Sequence, residues 1–203
     1  MKKYGRFLLI PILVLAVFST ACSTAWVSTL DSILSAAAPA LIDILQIVAV
    51  ANGQPANGTL AAKISSDATV IKTLAADFAK DGSTNACTTL QNAIATYQVD
   101  QNLVLGVAQV SNSATQTKIA LLSDLVAGTV TAVLAVIPQC QAPASLAKSV
   151  KAGPPLKLRT FVADYNAVLI TKTGNLAVDA VTPKLQIHQH SKAVRVLTFG
   201  YLK

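Results

Sequence analysis

The chain has 203 residues, 53% hydrophobic but only 5% aromatic, so its apolar content is mostly Ala, Val, Leu and Ile, a composition that favours helices. All nine acidic residues are Asp, which excludes sites built on Glu and leaves acid–base chemistry to Asp, two His, Lys and Tyr. The formal charge of +7 is uneven: Cys22 to Leu146 carries four Lys against seven Asp, whereas nine basic residues after Ala147 face only Asp164 and Asp179.

The first element in chain order is an export leader. Lys2, Lys3 and Arg6 precede an apolar run from Phe7 to Phe18, too short for an ordinary transmembrane helix, and the small residues Ser19, Thr20 and Ala21 come next. A signal peptide over 1–21 is expected. Thr20-Ala21-Cys22 resembles the lipobox of bacterial lipoproteins, and the resemblance is confined to residues 1–22. It implies that Cys22 receives diacylglycerol and becomes the first mature residue, with the domain held on the periplasmic or extracellular side. In a Gram-negative cell, Ser23 would send it to the outer membrane. Ser19 and Ala21 also suit ordinary signal-peptidase cleavage, so both processing routes stay open.

Helical periodicity dominates the mature chain. Trp26, Leu30, Ile33, Leu34 and Ala37 share one face, continued by Leu41, Ile44, Leu45 and Val48, with Pro39 expected to kink the helix or start another. Trp26 could settle at a lipid interface or open the core. Asn52 to Gly58 reads as a loop. A second helix carries Leu60, Ile64, Ile71, Leu74 and Phe78 and closes at Gly82. A third, about Asn85 to Val110, turns Cys87, Leu90, Ile94, Tyr97 and Val104 inward. Ser113 and Gln116 have capping-box spacing and open a fourth, which stops at Pro138. Ile119 to Ile137 contains only Asp124 as a charge, but Ser123, Gly128, Thr129 and Thr131 make it a poor membrane span. After a linker from Cys140 to Pro155, a fifth helix carries Leu158, Phe161, Val162, Tyr165 and Leu169 and ends at Lys172-Thr173-Gly174. From Lys184 to Lys203 polar and apolar residues alternate, which suggests a short β-hairpin or an extended tail.

Three cysteines leave one over in an oxidising compartment. Lipidation of Cys22 would leave Cys87 and Cys140 as a pair, closing a loop of about 54 residues worth roughly 4 kcal/mol. If helices three and four pack as an antiparallel hairpin, both cysteines arrive at the same end of it.

Chemistry-bearing motifs are sparse. Ser145 and Lys148 have S-x-x-K spacing and Lys172-Thr173-Gly174 is a K-T-G, a combination similar to that of serine β-lactamases. The two lie too close together, however, and K-T-G ends a helix instead of lying on a strand. His188 and His190 would share one face of a strand as half a metal site, with no third ligand nearby. No cofactor and no nucleic-acid motif is indicated.

The expected protein is all-α: an antiparallel bundle of four to five helices over 22–183, with a basic tail over 184–203. The expected role is a membrane-tethered, non-enzymatic structural or interaction module. Its basic C-terminal third would meet anionic lipid headgroups or a cell-wall polymer. The alternative is a helical carrier that holds a small apolar ligand or lipid between its helices, and a dispersed Asp/Tyr/Lys enzyme site is the remotest option.

Overall fold

The computed structural model describes residues 25–81, 84–106, 110–135, 137 and 158–188. The leader with Cys22, the linker with Cys140, Ser145 and Lys148, and the tail from 189 with His190 lie outside the described residues. Within them the chain is all-helical: α1 (Ala25–Ala51), α2 (Gly58–Asp81), α3 (Thr84–Gly106), α4 (Ser113–Ala135), α5 (Leu158–Ile170), α6 (Leu176–Val181) and a 3-10 turn over Thr182–Leu185.

α1 is the hub. It buries Leu30, Ile33, Leu34, Leu41, Ile44, Ile47 and Val48, each worth about 1.5–3 kcal/mol when removed from water. Ala37 and Ala40, both wholly inaccessible, let neighbouring helices approach closely. Pro39 sits inside this helix with its ring in solvent, and it starts no second helix. α1 ends in a Schellman motif: Gly53 has φ 65°, its N–H donates to Val50 O at 3.2 Å, and Gln54 N–H donates to Ala49 O at 2.9 Å. Asn57 then caps α2 by accepting from Leu60 N–H at 3.0 Å.

The helices do not pack in sequence order. α2 lies on one side of α1 with α3 against α2, while α4 lies on the other side of α1 with α5 beside it. α3 and α4 are joined by a short connection but share no substantial interface, so the expected α3–α4 hairpin, which would have carried Cys87 and Cys140 to one end, does not form. The cause is burial: α4 turns Ile119, Leu122, Val126, Val130 and Val133 inward and α1 supplies the large apolar face they need, whereas α3 already seats Leu90, Ile94 and Tyr97 beside α2.

Three local expectations shift. The cap of α4 is Asn112, one residue before the expected box, accepting from Thr115 N–H at 2.8 Å; the Gln116 amide reaches back to Val110 O instead. Trp26 packs edge-on against Phe78 of α2, with ring centroids 5.9 Å apart, which makes it part of the core. The start of the tail is no hairpin strand: after the 3-10 turn, the Asn166 side chain bonds both the N–H and the C=O of Ile187, at 2.8 and 2.9 Å. That amide does what a partner strand would otherwise do, while Leu185 and Ile187 pack on the core.

Candidate functional site

Among the described residues, Lys72 of α2 reaches Asp31 Oδ1 at 3.2 Å and Ser35 Oγ at 2.6 Å on α1, and polar side chains converge at three further helix-to-helix contacts. The first joins α2 and α3. Lys63 and Asp67 lie one turn apart on α2, and Lys63 Nζ contacts Asp67 Oδ2 at 3.0 Å and Asp100 Oδ2 of α3 at 2.5 Å. The Asp100 side chain is only 4% exposed, against 48% for Lys63, so the ammonium closes a buried carboxylate off from solvent. Burial and a hydrogen bond shared with Asp100 raise the Asp67 carboxyl above the usual carboxylate range. Burial also pushes on Asp100, but the hydrogen bonds from Asp67 and Lys63 outweigh it and hold Asp100 below that range. The two carboxyls are thus pushed in opposite directions, Asp67 toward holding a proton and Asp100 toward ionisation. Tyr97, one turn before Asp100, buries a hydroxyl without a hydrogen-bond partner among the described residues, and burial together with the charge of Asp67 raises its pKa.

The second joins α1 and α5. Tyr165 Oη lies 2.9 Å from Asp43 Oδ2 and 3.2 Å from Ala40 O, its ring fully buried and stacked on Phe161 at 5.8 Å. Burial pushes the Asp43 carboxyl up to about 6, against a smaller downward effect of the tyrosine hydrogen bond.

The third lies where α4, α5 and the 3-10 turn meet. Lys118 is 3% exposed and donates to Leu169 O at 2.9 Å and Thr182 Oγ1 at 3.0 Å. Burial holds its ammonium below the usual lysine range, offset in part by Asp179. Asp179 also explains the K-T-G segment: its Oδ1 accepts from Thr173 N–H and Oγ1–H, both at 2.9 Å, and its Oδ2 accepts from Gly174 N–H at 3.0 Å. Those backbone and hydroxyl donors hold Asp179 below the ordinary carboxylate range. Gly174 has φ 78°, the left-handed conformation that lets the chain turn into α6, where Asn175 caps Ala177 and Val178. Thr173 and Gly174 thus build a helix-to-helix turn, and Lys172 remains at its edge.

Of the residues that stand out in the sequence, Cys87 lies in the first turn of α3 and is disulfide-bonded. The other two cysteines lie outside the described residues. His188 is exposed in the stretch after the 3-10 turn, and no group of three His, Cys, Asp or Glu side chains converges among the described residues. Sequence motifs miss Lys63, Asp100, Asp43 and Lys118. The signal present was placement: Asp100 and Lys118 fall three residues from the inward positions Tyr97 and Thr115, inside helical faces that otherwise carry few charges.

Compared with protein-family models, curated proteins and solved structures, the chain matches none. Functional conclusions therefore rest on the residues themselves.

Proposed function

We propose that the chain is a membrane-tethered envelope lipoprotein, anchored through Cys22 and braced by a Cys87–Cys140 disulfide, which acts as a non-enzymatic interaction module. The observation that carries the interaction role is the outer face of α4. Both α1 and α4 are long and apolar enough to cross a membrane, but 67% of the most apolar stretch of α1 is buried in the bundle, against 44% for α4. The composition of α1 follows from its place as hub. That of α4 does not: it leaves Leu121 and Leu134 in solvent, with Ala120, Ala127, Gly128 and Ala135 on the exposed side and Asp124 as the one carboxylate among them. An exposed apolar stripe of this kind is what an interaction surface requires. The three polar clusters fit the same reading, because their charged groups tie one helix to the next.

Intact mass spectrometry of the membrane-purified chain, with and without reductant, tests the proposal. The expected species begins at Cys22, carries acyl chains, and gains two alkylatable thiols only on reduction. An unacylated chain with Cys22 free or missing overturns the anchor. A Cys87 that alkylates without reduction overturns the brace.

A further inference from the structure

A groove of about 250 Å³ runs between α4 and the end of α5. Ala114, Leu121 and Val168 give it an apolar lining, and Lys118 and Lys172 border it together with three threonines. Its hydrogen-bonding capacity is unusual in one respect. The hydroxyl protons of Thr117 and Thr171 are already given to Ser113 O and Ala167 O of their own helices, and that of Thr173 to Asp179. The carbonyls at the end of α5 are also engaged, Leu169 O by Lys118 and Val168 O by the Thr171 N–H.

The side-chain donors left among the lining residues are therefore the ammonium N–H groups of Lys118 and Lys172. Lys118 has three and directs two at protein acceptors. Lys172 is exposed and has no salt-bridge or hydrogen-bond partner among the described residues. Asp179, the carboxylate whose charge acts on Lys118, already has both oxygens bound by Thr173 and Gly174. Two cations over an apolar lining select an occupant that is anionic at one end and apolar along its length. A neutral polar molecule could accept from the ammonium groups but would leave their charge unmatched, and a small hydrophilic anion would leave Leu121 and Val168 in water.

We infer that this groove binds a single-chain anionic amphiphile, with its carboxylate between Lys118 and Lys172 and its alkyl chain along Leu121 and Val168. The volume lies just below the roughly 300 Å³ at which small-molecule sites usually begin, which suits a medium-length chain or the head end of a longer one. This site does not depend on the lipid anchor, and it would persist in a chain processed at Ala21.

The test uses the full chain reconstituted in neutral phosphatidylcholine vesicles, with 13C-carboxyl decanoate below its micellar concentration as the probe and protein-free vesicles as the blank. A saturable bound carboxyl resonance is expected in NMR, with neither acetate nor decanol displacing it at equal concentration. Lys172→Gln should weaken it about fivefold to tenfold, the effect of one charge-assisted contact at a partly screened site. Lys118→Met should weaken it at least as much, and Lys80→Gln, far from the groove, should leave it unchanged. Absence of a saturable resonance overturns the proposal. Full displacement by decanol also overturns it, since the ammonium groups would then play no part. Lys172→Gln binding like the parent has the same consequence, and because that residue is exposed the variant folds whether or not Lys118→Met does.

Discussion

The two flanks of α1 solve the same problem in different ways. On the α2–α3 side a buried carboxylate, Asp100, meets a lysine of opposite charge whose side chain is half in water. On the α4–α5 side the buried charge is a lysine, Lys118, and its direct partners are a neutral carbonyl and a hydroxyl. An ion pair at a wet edge is screened and adjusts easily. A lone ammonium among neutral dipoles depends on fixed geometry, and Lys118 receives it from the ends of two elements, Leu169 of α5 and Thr182 of the 3-10 turn. The first flank is two long helices in regular contact. The second gathers short elements whose ends are held by side chains, and its lysine does the gathering.

The largest effect should therefore come from Lys118. Lys118→Ala removes a buried four-carbon stem and strands the Leu169 carbonyl and the Thr182 hydroxyl, so a loss of about 3 kcal/mol is expected in urea unfolding. Lys118→Met keeps most of the packing and relieves the desolvated charge, so its loss should be about 1 kcal/mol. Hydrogen exchange at Leu169 and Thr182 should quicken in both variants before it does so in α2. If Lys63→Ala instead proves the more damaging substitution, the contrast between the flanks is wrong.

A somewhat smaller effect is expected at Asp43, with a pH signature. Its carboxyl titrates near 6 in the folded chain and near 3.8 when unfolded, so the folded state holds its proton more tightly. The stabilisation is complete below the unfolded value and is lost as pH rises through about 6. Asp43→Asn, which can still accept from Tyr165, should raise stability by about 2 kcal/mol at pH 8 and change little at pH 3.5. Thermal unfolding of the two proteins across that range checks the sign. Parallel stability curves would mean that Asp43 is already solvated.

How much of this was legible in the sequence depends on the range of the interaction. The helices, their inward residues and the loop at Gly53 follow from periodicity and local turn chemistry, because each is decided within a few residues. The partner of each helix is decided by which apolar faces fit across the whole bundle, and chain order is a misleading guide: α3 and α4, joined by a short connection, part to opposite sides of α1. The tail misleads for a similar reason. Alternation from Lys184 onward matches a strand, but the Asn166 amide, about twenty positions earlier, already satisfies Ile187. The K-T-G segment is legible as a helix end, while its partner Asp179 and the neighbouring Lys118 become visible only in three dimensions. Charges embedded in inward-facing stripes are the one sequence clue to all three polar clusters.

The smallest effects, and the sharpest test of the α2–α3 flank, concern which carboxyl of the pair holds the proton. Asp100 is held below the ordinary carboxylate range, so its contribution is present above that range and lost as pH falls. Asp67 is raised, so its contribution has the opposite slope and is lost as pH rises. Asp67→Asn should therefore be neutral or slightly stabilising at pH 7, since it removes a carboxylate whose ionisation burial opposes and its amide can donate to Asp100. Asp100→Asn should lower the urea midpoint, because Lys63 loses the carboxylate that it covers. The two midpoints should converge as NaCl is raised toward about 1 M, where charges only about 3 Å apart begin to be screened. The Lys118 variants, whose partners carry no charge, should not move with salt. Identical midpoints for Asp67→Asn and Asp100→Asn would mean that the pair shares its proton evenly, and a salt-sensitive Lys118→Ala would mean that Asp179, not the neutral dipoles, is what holds that lysine in place.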